Sequence, residues 1–413
     1  MLPASGSPDR MERKFPRWAL VGLGTTQIIG YGTLYYAFSI LVPDMARDLA
    51  VSEKWIFGAF SLALLAGSFA APLAGRLADR HGAGLVMGLG SIGAALSLVL
   101  TAFAPNALTF AAALTAMQIV SSTVLYATAF TAIVQAGGLS GQKSIVHLTL
   151  IAGFASTLFW PLTSWLHGIL NWREIYLGFA ALNIAVCVPI HLALARLTSS
   201  AVIEARTASE IQDNPPRGDR LIFGLMLAGF AIEGYALSAM LVHMVPLTQA
   251  LGLGAAGLAV ASLFGPAQVT SRFINLLFGQ NLSQAWLAVI AAIMLPLGLV
   301  ILLGTSPWLP GAVVFAVCMG LGSGLTSIVG GTLPLELFGR RGYGKRLGWS
   351  TSAKQVTSAI APFVMSASLA QFGVVPSLWT IIVVGLAGMA ALAAIPLLLR
   401  LKAPENASYR PTT

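Results

Sequence analysis

Residues 75–82 read Gly-Arg-Leu-Ala-Asp-Arg-His-Gly and separate two apolar runs, 55–74 and 84–104. A helix needs about 20 apolar residues to cross the hydrocarbon core of a bilayer, and both runs have that length. A short charged loop between two such runs is typical of consecutive membrane-spanning helices. This stretch therefore predicts an all-α membrane protein.

Composition extends the prediction to the whole chain. Of the 413 residues, 57% are hydrophobic and 9% are charged, with a mean hydropathy of +0.83, whereas a soluble domain carries about 25% charged residues. Residues 196–220 are predicted to link two six-helix bundles, 18–195 and 221–400, and the ends of the chain are 1–17 and 401–413. The apolar runs predict twelve spans, at 18–43, 55–74, 84–104, 108–136, 147–170, 175–195, 221–247, 255–279, 284–304, 308–335, 347–371 and 376–400.

The distribution of basic residues predicts the orientation. With the N-terminus inside, 18 of the 23 Lys and Arg residues fall on the cytoplasmic side of these spans, as the positive-inside rule requires. We therefore expect a multi-pass protein of a bacterial inner membrane with both termini in the cytoplasm. The net charge of +9 then faces the lipid bilayer, and no nucleic-acid partner is expected.

An internal repeat relates the two predicted bundles. A substrate site near mid-membrane is expected where two such repeats meet. The nearly constant offset predicts two pseudo-symmetric bundles with the same orientation. The matching pairs are Gly30-Tyr31 with Gly234-Tyr235 and Gly75 with Gly279, each 204 positions apart, Val42-Pro43 with Val245-Pro246, 203 apart, and Trp160-Pro161 with Ala361-Pro362, 201 apart.

The loop at 75–82 resembles the signature loop of the major facilitator superfamily, which also lies between the second and third spans. With twelve predicted spans and a central linker, the resemblance covers essentially the whole chain, and it implies a secondary transporter that works by alternating access. The family carries more basic residues after this loop, where this chain has Ala83 and Gly84. Span four also lacks the arginine of many proton-coupled members, and span five lacks the Gly-Pro-rich signature of drug/proton antiporters, so a multidrug antiporter is disfavoured.

Five residues of the loop form a candidate gate: Gly75, Arg76, Asp79, Arg80 and Gly82. Asp79 can accept hydrogen bonds from N–H groups at a helix end, and the arginines can pair with carboxylates or carbonyls of the other half. Such contacts would close the cytoplasmic side in one state and break in the other. The alternative is that these charges only set the topology.

Two cations fall within the predicted spans of the second half, Arg272 and Lys354. Each lies about seven residues from the cytoplasmic end of its span, so both backbones are about 10 Å into the bilayer. Cations at one depth predict a binding site for a small anion, unless both side chains snorkel to the interface. The pair resembles that of oxalate/formate-type and monocarboxylate-type facilitators, where a span-eight arginine and a span-eleven lysine engage the substrate. The acidic-glycine signature that monocarboxylate carriers have in span one is missing.

Glu233 is the third ionisable residue within a span, and an intramembrane carboxylate indicates function by default. It is expected to carry a coupling proton or to be the counter-ion of Arg272. Tyr31, Tyr235 and Trp160 are candidate substrate contacts, with packing or anchoring at the bilayer surface as the alternative.

The favoured function is secondary active transport of a small organic anion, with H+ or a counter-anion as a possible second solute. The alternative is an efflux carrier for toxic compounds, of the arsenite type or for drug resistance, because residues 26–36 look like bacterial facilitators associated with such efflux. Arsenite is largely uncharged at neutral pH and would not explain the paired cations. The repeat and the gate argue against a membrane sensor. No catalytic residue, cofactor or metal site is predicted, because phosphate-binding, zinc-protease and nucleophile-elbow strings are missing; we expect a monomer that is not an enzyme.

Overall fold

The computed structural model describes residues 15–138, 141–209, 219–254, 256–279 and 282–402. These ranges are about 91% helical and contain no strand. The predicted all-α membrane fold is confirmed. Most of the predicted N-terminal segment 1–17 and of the tail 401–413 lies outside the described residues.

Within the described residues, the first half of the chain contains ten α-helices. Two π-helical segments, Gly32–Tyr36 and Asn183–Cys187, interrupt otherwise continuous helix in this half. The α-helices are α1 Arg17–Tyr31, α2 Phe38–Asp48, α3 Glu53–His81, α4 Ala83–Ala102, α5 Ala107–Ser121, α6 Tyr126–Gly137, α7 Gly141–Ala152, α8 Ala155–His167, α9 Trp172–Leu182 and α10 Val188–Ser209.

The part of the second half that the structure describes contains seven α-helices. Because α10 continues to Ser209, the first part of the predicted linker 196–220 is helical, and residues 210–218 lie outside the described part. The helices are α11 Asp219–Thr248, α12 Ala256–Ser262, α13 Phe264–Phe278, α14 Gln284–Thr305, α15 Leu309–Phe338, α16 Tyr343–Phe372 and α17 Val374–Lys402, with a π-helical segment at Gln249–Leu253.

Nine helical stretches of the described residues are long and apolar enough to cross a membrane. The predicted spans 18–43, 255–279 and 347–371 are not among them. The helices that occupy these three ranges carry Gln27, Arg272 and Lys354 among their apolar residues. Multiple spans are thus confirmed, whereas the count of twelve stays a prediction.

Three runs that the sequence predicts as single spans are interrupted in the structure. The run 108–136 breaks between α5 and α6, 147–170 breaks at Gly153, and 255–279 breaks at Leu263. A break frees backbone groups that need partners inside a membrane. Buried amides supply some of them in the first half. Gln27 Nε2 donates to the carbonyl oxygen of Val124 at 2.8 Å, and Gln118 Nε2 donates to that of Leu34, in the π-helical segment, at 2.9 Å.

Polar side chains hold helix ends together at one end of the first half. Arg173 Nη1 donates to the carbonyl oxygens of Ala102 at 2.6 Å and Ala104 at 3.1 Å. Arg173 Nε lies 3.6 Å from Asp48 Oδ2, which also accepts a hydrogen bond from Trp172 Nε1 at 2.8 Å. This arginine therefore joins the ends of α2, α4 and α9.

Asp44 lies nearby, one residue beyond the predicted span 18–43. It pairs with His167 at the end of α8 and with Arg47. The hydrogen bond with His167 holds the pKa of the Asp44 carboxyl below its usual range.

Replacing Arg173 by glutamine is expected to lower the thermal midpoint of the purified protein by a few degrees, because hydrogen bonds from a charged group contribute about 1.5–3 kcal/mol. The matched control is Arg47→Gln, whose side chain is 76% exposed and bonds only Asp44 among the described residues. Differential scanning fluorimetry in detergent measures both midpoints. Equal shifts in the two variants would contradict the role given to Arg173.

The two halves contact each other mainly through three helices of the first half and three of the second. Helix α3 packs along α16, α6 contacts α15 and α16, and α7 contacts α13 and α15. We call the end of the molecule that carries residues 75–82 the motif end. The closest backbone contacts between the halves lie near the motif end. A cavity lies between the halves on the side of these contacts that is away from the motif end.

Candidate functional site

A cavity of about 350 Å³ lies between the two halves. Its walls come from α1, the π-helical segment that follows it, α3, α5 and α6 on one side and from α11, α15 and α16 on the other. A volume in the range of about 300–1,000 Å³ is typical of small-molecule sites. The lining residues are Tyr31, Tyr35, Tyr36, Leu64, Gly67, Ala71, Gln118, Ser121, Ser122, Leu125, Tyr126, Ala127, Phe130, Phe230, Thr326, Ser327, Gly330, Leu347, Ser350, Thr351, Lys354, Gln355 and Ser358.

Lys354 is the cation in the cavity wall. It is half-buried, and its ammonium has no hydrogen-bond partner among the described residues. Its helix lies close to α11 because Gly234 has no side chain: a Cβ there would come 2.8 Å from the carbonyl oxygen of Lys354. Ser358 Oγ donates to the Gly234 carbonyl at 2.9 Å, and Ser238 Oγ to the Ser358 carbonyl at 2.7 Å. These bonds fix the helix while the ammonium stays available to a ligand.

Arg272 lies outside the cavity lining and is 4% exposed. Its Nη1 donates to the carbonyl oxygen of Thr149 in the first half at 2.9 Å, and its Nη2 donates to Ser327 Oγ in the cavity wall at 3.2 Å. The guanidinium reaches α7 beside Gly153, where a Cβ would lie 2.5 Å from Nη1. The buried Nε has no hydrogen-bond partner among the described residues. Arg272 thus joins the two halves and reaches the cavity through Ser327.

The Glu233 carboxylate lies behind the second-half wall. Its Oε2 accepts a hydrogen bond from Thr326 Oγ1 at 3.3 Å, and its buried Oε1 has no hydrogen-bond partner in the described part of the chain. Within the described residues, neither cation lies within the 4 Å of an ion pair with it. Lys354 is within electrostatic range of both Glu233 and Arg272. Among the described residues, the hydrogen-bond partner of Glu233 is therefore Thr326, and neither Lys354 nor Arg272 pairs with it directly.

The first-half wall is rich in aromatic rings. The ring centroids of Tyr31 and Tyr126 are 4.9 Å apart, and those of Tyr126 and Phe130 are 5.1 Å apart in a stacked pair. The centroids of Tyr36 and Tyr35 are 5.3 Å apart and edge-on. Tyr35 and Tyr36 belong to the π-helical segment, and such segments are frequent at functional sites.

Two of the predicted aromatic contacts lie elsewhere. Trp160 is 48% exposed and meets the edge of Tyr36, with the centroids 5.8 Å apart, without lining the cavity. Tyr235 is half-buried and packs against the hydrophobic core of the second half. Of the five predicted substrate contacts, Tyr31 and Lys354 line the cavity.

The candidate gate joins the halves at the motif end. Asp79 Oδ1 and Oδ2 accept hydrogen bonds from the backbone N–H groups of Gly344 at 2.9 Å and Lys345 at 2.8 Å, in the first turn of α16. A Cβ on Gly75 would overlap the carbonyl oxygen of Gly344, and one on Gly344 would lie 2.7 Å from the carbonyl oxygen of Gly75. Only glycine at both positions permits this approach of α3 and α16.

The other gate residues surround this contact. Gly82 has φ +89°, a conformation that favours glycine. It joins α3 to α4, and the N–H of Ala83 donates to Gln135 Oε1 at 2.8 Å. Arg76 and Arg80 are exposed. From the second half, Arg340 Nη2 donates to the carbonyl oxygen of Gln135 at 2.8 Å. In this state the halves are joined at the motif end.

Several site residues carried no recognisable signal in the sequence. Thr149 and Gly153 become important only because folding brings Arg272 against them: the Thr149 carbonyl accepts a hydrogen bond from the guanidinium, and Gly153 has no side chain to obstruct it. Tyr126 and Thr326 are ordinary residues of apolar runs until folding places them at the cavity. The one sequence signal for the cavity wall was the spacing of polar residues by three or four positions along one helix face. Such a set is formed by Ser350, Thr351, Lys354 and Gln355.

A family model and several solved structures match this chain. The family model described as the Major Facilitator Superfamily matches residues 24–310. The chain resembles the crystal structure of the human organic anion transporter MFSD10 (TETRAN), with TM-score 0.66, 17% identity, and coverage of 91% of this chain and 97% of that one. It also resembles FucP in the outward conformation, with TM-score 0.64, 14% identity, and coverage of 93% and 98%. The proton:xylose symporter XylE bound to 6-bromo-6-deoxy-D-glucose gives TM-score 0.65, 14% identity, and coverage of 94% and 97%. Among curated proteins there is no match.

Proposed function

The chain belongs to the Major Facilitator Superfamily, and on that premise we propose that it is a secondary active transporter of a small organic anion. The family and its several apolar helices make it an integral multi-pass membrane protein. The observation that carries the anion assignment is the unpartnered Lys354 ammonium in the wall of the cavity between the halves. A cation taken out of water needs a counter-charge, and a carboxylate or similar anion supplies it.

Arg272 supports the same assignment from a second position. Its guanidinium is bonded to Ser327, a residue of the cavity wall, and its charge acts within electrostatic range of Lys354. The bond to Thr149 also makes it sensitive to the relative position of the halves. The anion contacts Lys354 directly. Arg272 adds to the positive potential at the cavity, and its hydrogen bonds depend on whether the halves are close together.

Orientation follows from the charge distribution along the chain. Basic residues lie at the motif end, including Arg76, Arg80, Arg340 and Arg341, so this end faces the cytoplasm of a bacterial inner membrane. The structure then corresponds to a state closed on the cytoplasmic side. Breaking the contacts between Asp79 and α16 and closing the opposite end would deliver the anion to the other side.

Uptake into liposomes tests the anion assignment. Purified protein is reconstituted, and uptake of labelled formate, acetate and oxalate is compared with that of acetamide, a neutral isostere of acetate. Saturable uptake of at least one anion, without acetamide uptake, is the expected result. Uptake limited to neutral solutes, arsenite included, would replace the proposal with the efflux alternative, since a neutral solute leaves Lys354 without a partner.

Glu233 is the residue through which we expect protons to be coupled to the anion. A buried carboxylate with one unpartnered oxygen changes its interaction with Lys354 when it gains or loses a proton. With one proton per monoanion, an inward gradient of one pH unit drives about tenfold accumulation. In Glu233→Gln liposomes we expect the pH gradient to drive no accumulation, while exchange of internal for external anion continues.

The control for that experiment is Glu174→Gln. Glu174 is a capping residue at the start of α9 and lies outside the cavity lining, so its replacement leaves the pH response unchanged. A Glu233→Gln protein that still accumulates anion tenfold would show that the proton is carried elsewhere.

A further inference from the structure

The two walls of the cavity differ in chemistry. Most of the aromatic rings that line the cavity are on the first-half wall, including those of Tyr31, Tyr126 and Phe130, whereas the ammonium of Lys354 is on the second-half wall with hydroxyl and amide groups such as Ser350 and Gln355. A ligand that fills the space between them meets an aromatic surface on one side and polar donors on the other. Such walls match an amphipathic ligand better than one that is polar all round.

The rings of the first-half wall form one connected surface. Tyr126 contacts both Tyr31, at 4.9 Å and 56° between ring planes, and Phe130, at 5.1 Å and 16°. Tyr36 extends the surface beyond Tyr31, with the centroids 6.4 Å apart. Aromatic surfaces attract a further ring by offset stacking or edge contacts. A planar ring therefore suits this wall.

The charges around the cavity limit the charge of the ligand. Among the Asp, Glu, Lys and Arg side chains of the described residues, those that act there are Lys354 in the wall, Arg272 bonded to Ser327, and Glu233 bonded to Thr326. With Glu233 ionised their sum is one positive charge, which a monoanion neutralises. A dianion would leave one uncompensated negative charge in a desolvated space, which is costly.

The size of the cavity also favours a ligand that contains a ring. A volume of about 350 Å³ is at the lower end of the range of about 300–1,000 Å³ for sites that enclose organic ligands. An anion of two or three heavy atoms at Lys354 would leave the aromatic wall without a ligand contact. A ring attached to the carboxylate fills that space.

We infer that the anion is an arylcarboxylate monoanion, with its carboxylate at Lys354 and its ring against the wall formed by Tyr31, Tyr126 and Phe130. This inference rests on the proposed anion transport and names its substrate class. It assigns Tyr126 as the residue that selects for a ring. Lys354 selects for the charge.

Ligand-induced thermal stabilisation of the purified protein tests the inference. The concentrations that give half of the maximal increase in thermal midpoint are measured for benzoate, acetate, oxalate and benzamide. We expect benzoate to act at a concentration about tenfold or more below that of acetate, because only benzoate buries apolar ring surface. Benzamide, which has the ring without the charge, is expected to give little or no increase.

Two variants separate ring recognition from overall binding. Tyr126→Leu is expected to reduce the benzoate preference to about threefold or less, with acetate binding retained as the sign of a folded site. The control is Phe69→Leu, which removes a 66% exposed ring from the outer surface of α3 and keeps the full preference.

The outcomes distinguish the aromatic substrate class from the proposed transport of anions. If acetate, oxalate and benzoate act at similar concentrations, or if Tyr126→Leu keeps the full preference, the aromatic substrate class is overturned while anion transport stands. If benzamide stabilises the protein as well as benzoate does and acetate has no effect, the anion assignment falls, and the inference falls with it.

Discussion

Lys354→Gln liposomes are expected to take up anion at least about thirtyfold more slowly than wild-type liposomes, because loss of one partner of a buried charge pair costs about 2–5 kcal/mol. The ammonium is the only cation in the cavity lining of the described residues. Glutamine keeps much of the length and polarity of the side chain, so the change removes mainly the charge. The Glu233 carboxylate also loses a nearby compensating cation, which adds to the expected loss of function.

Initial rates of labelled anion uptake measure the effect, and two further variants make the result specific. Lys54→Gln removes an exposed lysine at the start of α3 and should leave the rate unchanged. Lys354→Arg keeps the charge on a larger planar group and should recover part of the rate. A Lys354→Gln protein that transports anions at a rate within threefold of wild type would remove the basis of the anion assignment.

The charges of the site were predictable because a charge inside a membrane is expensive and therefore informative. Lys354, Arg272 and Glu233 stand out in apolar runs, and Asp79 stands out in a short loop between two spans. The structure places these four residues at the cavity or at the contact between the halves. Their identity and approximate depth required no knowledge of side-chain packing.

The partners of those charges were not predictable in the same way. Arg272 was expected to face the cavity together with Lys354, yet its Nη1 is bonded to the carbonyl oxygen of Thr149. That acceptor lies next to the break at Gly153 between α7 and α8, and hydropathy does not detect a break inside an apolar run. The same limit applies to the π-helical segment that presents Tyr35 and Tyr36.

The internal repeat gives a further example of this limit. Gly30-Tyr31 and Gly234-Tyr235 occupy equivalent positions in the sequence, which suggested equivalent roles. Tyr31 lines the cavity, whereas the half-buried Tyr235 packs against the core of its own half. At Gly234 the close neighbour is Lys354, so the glycine of the second pair is the member that touches the site. Sequence symmetry between the halves predicts the fold better than it predicts individual contacts.

The second large effect is expected for Gly75→Val, because this change disrupts the contact between the halves at the motif end. A side chain at residue 75 overlaps the carbonyl oxygen of Gly344, so α3 and α16 must separate until the atoms reach about 3.5 Å. Overpacking of this kind costs about 1–3 kcal/mol, which shifts the ratio of closed to open states by up to about a hundredfold. We therefore expect the variant to favour the state that is open at the motif end and to transport slowly.

A single cysteine in place of Gly330 measures that shift. Gly330 lines the cavity, and a Cβ there meets no atom within 4 Å, so a thiol fits once Cys187 and Cys318 are replaced by serine. In inside-out vesicles, an impermeant maleimide should label this thiol much faster in the Gly75→Val background than in the background with Gly75. Gly58→Val is the matched control, since Gly58 lies on the same helix with no atom within 4 Å of its Cβ position. Equal labelling rates with Gly75→Val and Gly58→Val would show that the contact between α3 and α16 does not control access to the cavity.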